Sequence, residues 1–212
     1  MRIDVWSDLV CPWCYIGKRR LERALADFTH REDVTVVHHS FQLHPDMPPG
    51  STIPRREMLM EKYHLSHEQV VTMDDRMERL AAEDGLDYDL SSGSTGNTVD
   101  AHRLVHYAHT LGKQDAVVER LFRAYFTEQR SLFSVDALVD FAADVGLDAD
   151  EVRRMLEGNE YRDAVTADHQ EATTLGARGV PFFVMAGRYA VSGAQPVEAF
   201  AEALQKAWDA TA

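Results

Sequence analysis

The hydrophobic pattern changes period twice along the chain. Ile3 and Val5 alternate with polar neighbours, the two-residue period of a half-buried strand. From Pro12 onward Ile16, Leu21, Leu25 and Phe28 recur at helical spacing, with proline tolerated in the first turn because its missing amide would be unpaired there anyway. Val34 to Phe41 is β-branched and compact and reads as a second strand, parallel to the first through the intervening helix. Prolines 45, 48, 49 and 54 then break the chain, and about a hundred residues of helical pattern follow. Ser66 and Gln69 form a capping box ahead of Val70, Met73, Met77 and Leu80, and Gly85 closes that helix. A Ser/Gly loop from Asp87 to Gly96 leads to Asn97, a predicted cap for a helix running through Leu111 to Gly112. Further helices are predicted from Gln114 to Thr127, Val135 to Val145, Glu151 to Leu156 behind Asp148, and Tyr161 to Leu175. Period two returns in Phe182 to Met185 and Tyr189 to Val191, joined by a tight turn at Gly187-Arg188, and Pro196 to Trp208 closes as a helix.

The order βαβ, then helices, then ββα is that of an α/β, thioredoxin-like fold interrupted by a large all-helical insertion. The pattern divides at residues 1–45 and 161–212 for the thioredoxin-like part and 46–160 for the insertion.

Charge narrows the partners. With 22 Lys+Arg against 35 Asp+Glu the net charge is −13, which disfavours nucleic acid and anionic membrane surfaces as partners. A 45% hydrophobic and 27% charged composition over 212 residues is that of a soluble globular chain, and no apolar run approaches the roughly 18 residues of a membrane span. The sequence passes from Met1-Arg2 directly into the first strand without an apolar signal region, so the expected location is cytoplasmic, where structural disulfides are rare.

The chain's two cysteines, Cys11 and Cys14, therefore call for a chemical explanation. Cys11-Pro12-Trp13-Cys14 falls at the predicted N-terminus of the first helix, where unpaired amides and the helix dipole favour negative charge on the first sulfur. Cys11 is thus the expected nucleophile, and Cys14, one turn further in, the resolving thiol. A zinc site would need four ligands, and with no second Cys pair only His38, His39 and His44 stand as candidates. His102, His106 and His109 share a helix face, which a polar surface explains without a metal, and no metal is expected. Gly179-Val180-Pro181-Phe182 opens the late hairpin; ordinary preferences make its X–Pro bond trans.

Together these stretches resemble the DsbA-family thiol oxidoreductases of the FrnE-like subfamily. The residues that carry the likeness are Ser7 to Gly17 around the cysteines, Asn97-Thr98-Val99-Asp100-Ala101-His102-Arg103, Gly179 to Val184, and Ser192-Gly193-Ala194-Gln195. The resemblance implies Val180-Pro181 as a cis bond facing the cysteines and a backbone before it that pairs with an extended substrate. It places Asn97 near the cleft, makes Pro12 and Trp13 part of the substrate surface, and lets Ala194 and Gln195 offer amides to the γ-glutamyl carboxylate of glutathione. Kappa-class glutathione transferases and 2-hydroxychromene-2-carboxylate isomerases are related but typically carry serine where Cys11 stands. The expected activity is thiol–disulfide oxidoreduction on protein or small-thiol substrates by a monomer or homodimer, with no resident cofactor and glutathione as a candidate ligand or co-substrate. A glutathione-dependent isomerase or transferase is the alternative, and a non-enzymatic redox-sensing or peptide-docking module a third reading.

Overall fold

A computed structural model describes residues 1–211. The chain forms two compact units, Met1–Phe41 with Val165–Ala212, and Gln42–Ala164. The divisions fall at 41/42 and 164/165, not at 45/46 and 160/161 as the sequence pattern suggests. Phe41 still belongs to the first unit because its N–H donates to Ser7 O at 3.0 Å and its ring stacks on His169.

The first unit is built on a four-stranded sheet of order β2-β1-β5-β6, comprising β1 (Arg2–Ser7), β2 (Thr35–Ser40), β5 (Phe182–Met185) and β6 (Tyr189–Ser192). β1 pairs parallel with β2 across helix α1 (Pro12–Ala26), and antiparallel with β5. Alternation then sorts the side chains of β1. Ile3 and Val5 face a core with Leu21 and Ala24 of α1 and with Phe200, Leu204 and Ala207 of the closing helix α9 (Val197–Asp209). Trp6 points to the opposite face, against Ala172 of α8 (Arg162–Thr174), Ala177, Phe182 and Val184.

That second face carries a polar network. His39 on β2 stacks on Trp6 with centroids 4.6 Å apart, and its Nε2 and Nδ1 face Asp4 Oδ1 at 2.8 Å and Asp168 Oδ1 at 3.0 Å. Ser40 N–H donates to Asp168 Oδ2 at 2.7 Å, and Trp6 Nε1 donates to the Asp168 carbonyl at 3.0 Å. Burial alone would lower the His39 pKa; Asp168 and Asp4 outweigh it and hold the ring above its ordinary value.

The hairpin turn lies one residue earlier than the sequence suggests. Ala186 and Gly187 carry the positive φ angles, 52° and 65°, and Arg188 N–H closes the turn on Met185 O, so Arg188 leaves the turn and does not form its centre.

The second unit is mainly helical: α2 (Arg55–Tyr63), α3 (His67–Glu83), α4 (Val99–Thr110), α5 (Gln114–Phe126), α6 (Val135–Asp144) and α7 (Ala149–Glu157). The Ser66–Gln69 capping box is formed as expected. Within the predicted 87–96 loop, β4 (Ser94–Gly96) pairs antiparallel with β3 (Thr52–Pro54), a two-stranded element the sequence pattern does not reveal. Thr98, not Asn97, is the N-cap residue of α4, although Asn97 Oδ1 still accepts the Val99 N–H at 2.9 Å. Arg103 is fully buried and donates to the carbonyls of Met155, Leu156, Gly158 and Glu160 and to Asp100 Oδ1, closing the C-terminal end of α7.

Candidate active site

Strand register positions the site. Trp6 lies opposite Phe182, so the end of β1 runs beside the start of β5, and the segment Ser7 to Val10 delivers Cys11 next to Val180-Pro181. Cys11 is the N-cap residue of α1, in extended conformation, with Pro12 in the first helical turn. Its N–H is held by Asp8 O at 3.0 Å, and its own carbonyl accepts the Cys14 N–H at 3.0 Å. The sulfur is thereby fixed at the helix start, where the orphan amides of α1 collect.

The Val180-Pro181 peptide bond is cis, as the family resemblance implies and contrary to ordinary X–Pro preference. Cys11 Sγ lies 3.6 Å from Val180 O. Both thiols are free, with Cys11 5% and Cys14 2% exposed, whereas Trp13 between them is 39% exposed. Burial pushes the Cys14 thiol well above its ordinary pKa, its hydrogen bond and charge interaction with Cys11 push it further, and of the two influences of Asp8 the backbone hydrogen bond opposes the rise while the carboxylate charge adds to it. Cys14 therefore keeps its proton and shares it with the Cys11 sulfur.

The remaining predicted residues fall into two groups. Ala194 is close to the site: its Cβ lies 3.5 Å from the position a Cβ on Gly17 would take, and its carbonyl accepts Arg20 Nη1 at 2.7 Å. Gln195 is exposed and its polar groups are used within the loop, its N–H donating to Gly193 O at 2.9 Å and its side-chain amide to Ser192 O at 2.8 Å. Asn97 belongs to the second unit, where it is buried and its side chain is used locally. Its Nδ2 donates to Met47 O at 2.6 Å and Pro45 O at 3.3 Å, and its Oδ1 accepts from Gln42 and Val99. Neither cysteine belongs to a three-ligand metal grouping among the described residues.

Two further residues of α1 sit at the site without a role assigned to them from sequence. Gly17 faces Pro181, and Arg20, one turn further along α1, ties the helix to the 192–195 loop. Their partners, Pro181 and Ala194, are far along the chain, so no local pattern announces them.

A βαβ start, a dithiol at the first helix N-cap and a cis-proline strand opposite it define a thioredoxin-fold protein of the CxxC type. The chain belongs to the DSBA-like thioredoxin domain family, whose model matches residues 2–205. It is similar to a probable DsbA oxidoreductase from Streptomyces coelicolor, with 46% identity, 99% of this chain and 90% of that one covered, and a TM-score of 0.95. The cytosolic disulfide reductase DsbM from Pseudomonas aeruginosa shares the fold at 21% identity, covering 99% of this chain and all (100%) of that one, TM-score 0.67. A 2-hydroxychromene-2-carboxylate isomerase does so at 15% identity, covering 100% and 98%, TM-score 0.73. The family and its relatives make the chain a DsbA-like oxidoreductase in general terms. No helix among the described residues is long and apolar enough to cross a membrane.

Proposed function

We propose that the protein is a thiol–disulfide oxidoreductase that cycles Cys11 and Cys14 between dithiol and disulfide. The observation that carries this reading is the asymmetry of the pair, with Cys11 at the α1 N-cap beside Val180 O and Cys14 buried behind it and held protonated. The Cys11 sulfur attacks a substrate disulfide, forming a mixed disulfide and releasing one substrate sulfur, which takes up a proton. Cys14 then loses its proton and attacks Cys11, breaking the mixed disulfide and releasing the second substrate thiol. The substrate gains two electrons and the protein leaves as the Cys11–Cys14 disulfide, which an external thiol such as glutathione resets. Pro12, Trp13 and the Val180-Pro181 backbone form the surface on which an extended substrate lies, with Ala194 and Gln195 beside it. A cytoplasmic location, where reduction or isomerisation prevails, fits this direction, and a monomer or homodimer acting on protein or small-thiol substrates fits the site. The glutathione-dependent isomerase or transferase is not favoured: a thiol pair stands at the helix start, and the likeness to the isomerase is one of fold alone.

The test is the reduction potential of the pair. Equilibrated in glutathione redox buffers, the wild type should show a reversible two-electron transition between about −270 and −120 mV. Cys14→Ser should trap a mixed disulfide on Cys11. If no intramolecular disulfide forms at any buffer potential, the dithiol cycle is wrong.

A further inference from the structure

Methionine is unevenly spread along the chain. Four of its eight methionines, Met58, Met60, Met73 and Met77, fall within residues 58–77, on the helix pair α2 and α3. All four are half-buried, whereas Met155 and Met185 are fully enclosed, one in each unit.

The way α2 is held gives those sulfurs a structural role. Its polar ties to the surroundings sit in its first two residues. Arg55 and Arg56 both reach the buried Asp74 of α3, Arg56 Nε lying 2.9 Å from Oδ2. Arg55 also donates to Leu90 O at 3.2 Å and, through its N–H, to Gly93 O at 3.1 Å. After this clamp the contact is apolar. None of the nine residues of α2 is fully buried, and its apolar side chains are Met58, Leu59, Met60 and Tyr63, the last 55% exposed. The helix packs on α3 and on the β3–β4 ribbon, so Met58, Leu59 and Met60 supply most of the apolar surface that keeps it there. On α3, Met73 and Met77 are four apart and share a face with the fully buried Val70 and Ala81; Met77 is also three residues on from Asp74, one turn along the same side. A charged clamp therefore closes one end of the pair, and methionine lines the rest.

Methionine fills such a contact like leucine does, with one difference: its sulfur can become polar in place. In the reaction with a hydroperoxide the thioether attacks one peroxide oxygen, the O–O bond breaks and an S–O bond forms. The sulfur gives up two electrons, the proton of the transferred oxygen passes to the departing one, and water or an alcohol leaves. The sulfoxide is a strong hydrogen-bond acceptor that an apolar helix contact cannot satisfy. We propose that Met58, Met60, Met73 and Met77 form an oxidation site for hydroperoxides, at which sulfoxide formation releases α2 from α3 about the Arg55–Arg56–Asp74 clamp while the core methionines stay reduced.

The release does not involve Cys11 or Cys14, so it is measured in the full-length Cys11→Ser/Cys14→Ser protein, where hydrogen peroxide has no thiol to consume. Peptide mass spectrometry should show the four methionines gaining oxygen about tenfold faster than Met155 and Met185. Hydrogen exchange of the α2 amides should then accelerate about tenfold, while that of β1 and β5 stays as it was. Replacing all four methionines by leucine keeps their bulk and removes the sulfur, so peroxide should change α2 exchange in that variant less than about twofold. Methionine sulfoxide reductases acting on both epimers should restore slow exchange in the oxidised parent protein. Equal oxidation of Met155 and Met185, unchanged α2 exchange once the four sulfoxides are present, acceleration that persists in the leucine variant, or acceleration that survives complete reduction of the sulfoxides would each overturn the proposal.

Discussion

Gly17 on α1 faces Pro181 with no room for a side chain between them: a Cβ on Gly17 would lie 2.9 Å from Pro181 Cγ and 3.2 Å from Phe183 Cζ. The helix that carries both cysteines is therefore seated directly on the segment that supplies Val180 O. Gly17→Ala has to push that contact apart, and overpacking of this kind costs about 1–3 kcal/mol. Thermal unfolding should show the loss as a melting temperature lowered by about 2–12 °C. An unchanged melting temperature would mean that α1 is not seated as described.

The state of Cys14 predicts how the reduced protein responds to alkali. Its folded pKa is raised, so above the ordinary thiol value near 9.0 the unfolded chain gives up this proton while the folded chain keeps it. The folded state then binds more protons, and stability falls as pH rises through that window; below it the contribution is fully present. Denaturation of the reduced protein across alkaline pH should show this slope in the wild type and lose it in Cys14→Ser. Asp8→Asn, which removes one of the charges that raise Cys14, should move its thiolate absorbance transition to lower pH.

Much of this was legible in local pattern, and what was not is long-range. The switch from Ile3 and Val5 to the helical spacing after Pro12 places Cys11 at a helix start, because both signals are contained in a few neighbouring residues. β3 and β4 leave no such trace: each is three residues long, β3 ends in proline, and they exist only through pairing with each other. Gly17 reads as a mere weakness in a helix until Pro181 is seen against it. Ala194 and Gln195 look like outward donors in sequence, but Gln195 folds back on Ser192, a choice made by loop closure and not by residue type. Asn97 was legible as a helix start, while its grip on Pro45 and Met47 depended on how the proline-rich segment returns.

Arg103 explains a motif that sequence could only match by likeness. It lies on α4 with its side chain fully enclosed, and five hydrogen bonds join it to Asp100 and to four carbonyls at and beyond the end of α7. Arg103→Ala strands the buried Met155 and Leu156 carbonyls and leaves Asp100 without its buried partner, and should destabilise the protein by about 3–5 kcal/mol. Arg103→Lys should recover only part of this, since one ammonium cannot reproduce the planar fork that reaches all of them. Urea denaturation of the full chain gives the ranking, and equal stability of the lysine variant and wild type would contradict this account.

Trp13 separates substrate contact from stability. It stands between two buried cysteines, yet 39% of it is exposed, so its ring faces solvent more than the residues on either side of it. Trp13→Ala should leave unfolding free energy within about 0.5 kcal/mol of wild type. A substrate chain that reaches Cys11 has to pass this ring, and an aromatic contact contributes about 0.5–1.5 kcal/mol. Its removal should therefore lower kcat/KM for a disulfide substrate about 2- to 12-fold, while the reduced protein's melting temperature stays in place. If the melting temperature fell in step with activity, Trp13 would be holding the site together and not meeting the substrate.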